Sequence, residues 1–192
     1  MITTTQTKKW NSYFNSLSPA DKRVAIAKDV LEQIKLKRLS ALSGTYFNLS
    51  TDLDEDKSIQ ANLNKVECQA CALGSMMFSH IKYNNECSVA EGEDIDSRYI
   101  KGKLHNYFDE SQLVLIETAF EQWKDNYNFD DEANELYVGD GAHSGDFLTD
   151  LDLGEEDLDR AGAYFDEYEF TDEERLVKIM KNIVKNKGTF VV

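Results

Sequence analysis

From Asp125 to Glu174 the chain carries nineteen acidic residues against a single basic one, Arg160. Fifty residues with a formal charge of −18 cannot form an interior, because burying unpaired carboxylates is prohibitively costly. The stretch is expected to fold back onto the core and present its carboxylates as surface. Since the whole chain carries −15, everything outside the stretch is slightly basic. Met1 to Ser50 holds eight Lys and Arg against three Asp and Glu, and Arg175 to Val192 holds five basic residues and no acid.

The stretch is nevertheless unlike a solvating tail. Tyr127, Phe129, Tyr137, Phe147, Tyr164, Phe165, Tyr168 and Phe170 are interleaved with its carboxylates, whereas disordered acidic segments are poor in aromatic residues. Helix-start signals bound it on both sides. We therefore expect an ordered acidic, aromatic-rich subregion, 125–174, within a single domain covering residues 1–192. At 192 residues, 41% of them hydrophobic, the chain is long enough for a core that buries about two thirds of its surface.

The charge also bounds function. An acidic face cannot wrap nucleic acid directly, because phosphate binding requires cations; only the basic ends could touch phosphate. No apolar run approaches the roughly 18 residues that span a bilayer, so no membrane association is expected. Met1 to Leu17 lacks the apolar core of a signal peptide. Three cysteines, an odd number, fit reduced thiols in the cytoplasm.

Along the chain, Trp10, Tyr13, Phe14 and Leu17 recur at helical spacing and predict a short amphipathic helix over Thr7 to Leu17. Ser18-Pro19-Ala20-Asp21 is a helix start, with an N-cap hydroxyl, proline at the first position and an acid in the first turn. That helix is expected to reach about Ser43 and to end at Gly44 as a C-cap. Thr45 to Leu49 alternates as a short strand. The phrase returns at the chain end, where Gly188 is followed by Thr189-Phe190-Val191-Val192, so the two segments are expected to pair.

The most apolar helix is predicted from about Ser58 to Tyr83, central in the fold, with Gly74 marking a close approach by another element. Asn84 to Lys103 reads as loop with one turn of helix. Asp109-Glu110-Ser111-Gln112 has capping-box form and opens a helix to about Lys124. Within the acidic stretch, Glu155 to Phe165 is a helix candidate. Thr171-Asp172-Glu173-Glu174 is a second capping box, opening a last helix with Leu176, Ile179, Met180 and Ile183 on its buried side. The expected fold class is mainly α, with about five or six helices and a minimal two-stranded sheet.

No motif carries a catalytic signature. Cys68, Cys71, His80 and Cys87 could be imagined as zinc ligands, but structural zinc sites place CxxC on a turn. Here both cysteines fall in a predicted apolar helix beside Ala70, Ala72 and Gly74, so small core residues and no metal are expected. Asp52, Asp54, Asp56 and Ser58 match the opening of a calcium loop, yet Lys57 stands where the loop needs Gly and Leu63 where it needs Glu. The loop Gly139 to Asp146 offers Asp140, His143 and Ser144 as letters of a nucleophile and base, without the strand-turn-helix elbow that would frame Ser144. No enzyme activity and no cofactor are expected.

Three helix-core phrases carry a resemblance. Cys68 to Ser75 (Cys-Gln-Ala-Cys-Ala-Leu-Gly-Ser), Gln112 to Phe120 and Glu174 to Ile183 resemble segments of uncharacterised proteins encoded by bacteriophages and prophages. These phrases cover 27 of the 192 residues, and the resemblance implies a phage or prophage origin and the bacterial cytoplasm. It brings no activity.

Dense, ordered carboxylates imitate the charge pattern of a nucleic-acid backbone. Their self-repulsion costs stability, which makes sense where something uses the field. The expected partner is a basic, nucleic-acid-binding host protein, captured by fast, salt-sensitive association. The expected contact residues are Asp130, Asp131, Glu132, Asp150, Asp152, Glu155, Glu156, Asp157, Asp159, Asp166 and Glu167. A different class of function, a structural or packaged virion component, would give the acidity a role in solubility alone.

Overall fold

A computed structural model describes residues 4–49, 59–63, 65–84, 97–121, 153–165 and 169–192. The fold is mainly α with a small sheet. The first helix, α1 (Thr4–Asn15), buries Phe14, whose ring stacks on Tyr83 at 4.5 Å and meets Tyr107 edge-on at 5.3 Å. Helix α2 (Pro19–Lys35) starts as its sequence dictates: Ser18 is the N-cap, its hydroxyl accepting the Asp21 amide at 3.2 Å, and Pro19 opens the helix. Ala25, Ile26, Ala27 and Val30 form its buried stripe.

Helix α2 ends at Lys35, well short of the Ser43 expected from periodicity. Lys37 takes a left-handed conformation (φ 56°), the Lys37 amide donates to the Ile34 carbonyl, and the Arg38 amide donates to the Gln33 carbonyl. This is a Schellman stop, usually built on glycine. Leu39, now free of the helix, goes inward and opens β1 (Leu39–Ala41). Gly44 (φ 71°) turns the chain after this strand instead of capping the helix.

Next come β2 (Asn48–Leu49), a single turn α3 (Ile59–Asn62), β3 (Cys68–Ala70) and α4 (Ala72–Asn84). The run from Ser58 to Tyr83 is thus not one helix. A continuous apolar run fits a buried strand as well as a buried helix, and in Cys68–Ala70 the pattern buried, exposed, buried selects the strand. Strand β3 lies between the others, parallel to β1 and antiparallel to β2, with Leu39, Cys68 and Leu49 in one row. Thr45 to Leu49 therefore pairs through Asn48 and Leu49 with β3, and the chain end contributes no strand. Instead, the Phe190 amide donates to Gln112 at 2.6 Å, and Asn182 holds Val191 as a strand would. Asn182 Oδ1 accepts the Val191 amide at 3.0 Å and its Nδ2 donates to the Val191 carbonyl at 2.7 Å.

Helix α4 is buried on every side from Ala72 to Ile81 and packs on α1, α2 and the helices that follow. Its central place matches the expectation, as does the reason for Gly74. A Cβ there would fall 1.5 Å from the Tyr46 carbonyl oxygen.

Within Asn84 to Lys103, expected as loop with one turn of helix, the chain forms the two-turn α5 (Ser97–Leu104), because Ile100 and Leu104 are one turn apart and both reach the core. Helix α6 (Glu110–Glu121) is buried continuously from Leu113 to Phe120. Helices α7 (Glu155–Gly162) and α8 (Asp172–Lys185) complete the described elements, and one hydrophobic cluster joins them to the rest. Arg23 ties three segments together, donating from Nε to the Gly188 carbonyl and from Nη1 to the Tyr107 carbonyl, both at 2.7 Å. No described helix is long and apolar enough to cross a membrane.

Candidate functional site

The acidic stretch is described at its C-terminal part, where α7 carries it. Gly154 is the N-cap, and its amide donates to Asp157 Oδ2 at 3.1 Å. Along the helix, Leu158 is half-buried and Ala161 fully buried, with Phe165 following them into the core. Glu156, Asp159 and Arg160 point to solvent. Arg160 folds back onto Asp157, and the Gly154 amide and this guanidinium together hold the Asp157 carboxyl below its ordinary pKa. Asp157 thus organises the helix start, while Glu156 and Asp159 have no ion-pair partner among the described residues.

Aromatic packing fixes this helix and the turn beyond it. The Tyr164 ring meets Phe165 at 4.7 Å and Phe190 at 5.3 Å, and Phe165 meets Phe170 at 5.7 Å. Asn182 donates to the Tyr164 hydroxyl at 2.7 Å. Lys178 sits 3.5 Å from the Phe170 ring centre, a cation–π contact worth about 0.5–1 kcal/mol at an exposed site.

The C-terminal end of the stretch and the helix that precedes it meet at one turn. Asp172 accepts the Ser43 amide at 2.7 Å and the Ser43 hydroxyl at 3.0 Å, and it pairs with Arg175 at 2.6 Å. Glu121, the last residue of α6, accepts the adjacent Gly44 amide at 2.9 Å. Burial pushes the Glu121 carboxyl up to about 7, helped by the neighbouring charges of Glu117 and Asp172 and opposed by the Gly44 bond and Arg175. Glu117 itself is buried with a Lys101 partner at 2.7 Å and the Tyr46 hydroxyl at 2.8 Å. In the Thr171 capping box, Glu174 accepts from both the Thr171 amide and its hydroxyl at 2.9 Å, which lowers its pKa.

Of the expected contact residues, the structure therefore exposes Glu156 and Asp159 on α7, leaves Asp157 half-buried and paired, and has Glu155 at the helix's first position. Asp130, Asp131, Glu132, Asp150, Asp152, Asp166 and Glu167 lie outside the described residues, as do the Asp52 to Ser58 turn, the Gly139 to Asp146 loop and Cys87. Lys178, Lys181, Lys185 and Lys187 form no ion pair with a described acid, although the charge of Lys178 helps to lower the Glu174 carboxyl.

The cysteines are not where periodicity put them. Cys68 lies on β3 and Cys71 in the turn before α4, both buried and unbridged. Burial pushes each thiol up to about 12, so neither is a thiolate near neutral pH. His80 is nine residues beyond Cys71, about 13.5 Å along the helix, with its ring 5.6 Å from Tyr107. Among the described residues no group of three His, Cys, Asp or Glu side chains converges as a metal site.

Two charged features escaped the sequence reading. Lys82 and Asp29 form a buried ion pair between α4 and α2, with Lys82 also 5.0 Å from the Trp10 ring centre. The pair was visible only as a lysine in the last turn of an apolar helix. Lys37 and Arg38 were hidden inside the overextended α2; the alternation Leu39-Ser40-Ala41 after them was the available signal. Comparison of the chain with family models, with curated proteins and with solved structures finds no match.

Proposed function

We propose that this chain is a non-enzymatic binding protein whose acidic stretch captures a basic, nucleic-acid-binding host protein by imitating a nucleic-acid backbone. The observation that carries this reading is the division of labour on α7. One side is locked into the core by Leu158, Ala161 and Phe165, while Glu156 and Asp159 stand in solvent with no ion-pair partner among the described residues. A charged array held rigid loses little entropy on binding, and its field accelerates encounter with a basic surface. In a phage-encoded chain, the natural targets are host defence nucleases or transcription proteins, and the protein acts as their inhibitor.

The test replaces Asp150, Asp152, Glu156 and Asp159 by Lys together and leaves Asp157, which organises the helix start, untouched. Wild-type protein immobilised in bacterial lysate at low salt is expected to retain a basic protein and to release it as salt rises. The fourfold variant, with an unchanged circular dichroism spectrum, is expected to retain none of it. Retention by the variant at low salt would sink the proposal.

A further inference from the structure

A second site lies on the side of the sheet away from the core, built from residues the acidic-surface reading does not use. The strand register sets Ser40, Gln69 and Asn48 side by side across β1, β3 and β2. Gln69 and Asn48 are exposed and Ser40 is half-buried, and the three side chains form no hydrogen bond with described residues. They line a pocket of about 650 Å³, within the roughly 300–1,000 Å³ of ordinary small-molecule sites. Ile34, Leu39, Leu49 and Cys68 also line it.

The charges of this pocket are unusual for a protein at −15. Lys35, Lys37 and Arg38 line it together, brought there by the Schellman stop of α2. That stop places a lysine in a left-handed conformation that glycine adopts at less cost. The helix C-terminus itself favours cations, by a few tenths to about 1 kcal/mol. Arg38 is half-buried, and its guanidinium makes no ion pair or hydrogen bond with a described residue. A guanidinium is a planar fork suited to carboxylate or phosphate oxygens. Two acids, Glu67 and Glu173, complete the lining, so the pocket offers acceptors as well as cations.

We propose that this pocket binds a small phosphate monoester, with the phosphate on Arg38 and Lys37 and a hydroxylated body across Ser40, Gln69 and Asn48. Lys35 is also paired with Glu32 at 3.9 Å, so Lys37 and Arg38 are the lining cations without an ion-pair partner among the described residues, and they face the head group. Glu173 accepts hydrogen bonds from hydroxyl or amino groups of the body, which a bare anion would not supply. Both nucleoside monophosphates and sugar phosphates have this chemistry.

Calorimetric titration of the full chain at low salt tests the proposal, with adenosine 5′-monophosphate, ribose 5-phosphate, inorganic phosphate and adenosine as probes. At least one ester is expected to bind, and inorganic phosphate and adenosine to bind tenfold or more weakly than it. Arg38→Ala is expected to weaken the ester about tenfold or more, the loss of one charge-assisted contact. Lys37→Gly removes a cation at a position whose backbone suits glycine, so it remains folded and is expected to weaken the ester severalfold. If Arg38→Ala does not fold, Lys37→Gly decides the matter. The Glu156→Lys and Asp159→Lys changes should leave ester binding intact, which separates this site from the acidic surface. Failure of both esters to bind at millimolar concentration overturns the proposal. So does binding of inorganic phosphate as tight as that of the esters, or unchanged affinity in the folded pocket variants.

Discussion

Two residues show how contact geometry, more than residue type, decides what a side chain costs. In an exposed helix, replacing glycine by alanine gains about 1 kcal/mol. At Gly74 the sign should reverse, because the new methyl would meet the Tyr46 carbonyl oxygen at 1.5 Å and its carbon at 2.7 Å. Backbone on both sides must then move, and overpacking of this kind costs about 1–3 kcal/mol or more. Gly74→Ala is expected to lower the urea midpoint clearly; a midpoint at or above wild type would mean that the Tyr46 segment yields freely. Glu121 makes the corresponding point for charge. Its folded pKa, about 7, lies above the ordinary 4.5, so the folded state holds the proton more tightly than the unfolded chain. The stability it contributes is complete below about 4.5 and is lost as pH rises through 7. Glu121→Gln keeps an acceptor for the Gly44 amide and removes the titration. Thermal melts from pH 4 to 8 should show the variant gaining on wild type as pH rises, and parallel curves would disprove the shift.

At the scale of elements, the caps were legible, and so was the stop of α8 at Asn186-Lys187-Gly188, but the stop of α2 was not. Ser18, Pro19 and Thr171 opened their helices where the local chemistry said they would, because a cap is satisfied within four residues. Helices α2 and α8 both end on lysines, Lys37 and Lys187, in the left-handed position. In α8 the turn runs on directly into the expected Gly188, whereas α2 stops well before Gly44, the glycine expected to end it. The chain end illustrates a longer-range substitution. Its alternation looked like a strand in want of a partner, but Asn182 supplies both bonds that a partner strand would have offered to Val191. Asn182→Ala is expected to free residues 189–192, and amide hydrogen exchange at Val191 should rise while the middle of α8 stays protected. Unchanged exchange at Val191 would show that Phe190, buried against α6 and Tyr164, is enough to hold the tail.

Across the whole molecule, charge and core are divided much as the composition requires. Among the described residues the flanks build most of the interior around α4, Ala161 and Phe165 add to it from the acidic stretch, and α7 turns Glu156 and Asp159 to solvent. The candidate acidic site was legible as a stretch because charge density is a property of sequence. Its fastening was not: Glu121 and Asp172 meet the same Ser43–Gly44 turn across 77 and 129 residues of chain. The basic pocket was equally invisible, since its walls come from three strands whose register no local pattern specifies.

The sequence by itself determined that the protein would be mainly helical, where most helices begin, which helix would be central and why Gly74 had to be glycine. Those properties follow from periodicity and short-range hydrogen bonds. Only the tertiary structure decided that Cys68–Ala70 is a strand within an apparently helical run and that Asn48 and Leu49 pair with it. The physical reason is common to both: a short apolar segment has no intrinsic preference strong enough to resist the neighbour that completes its hydrogen bonds, and that neighbour is chosen by the fold.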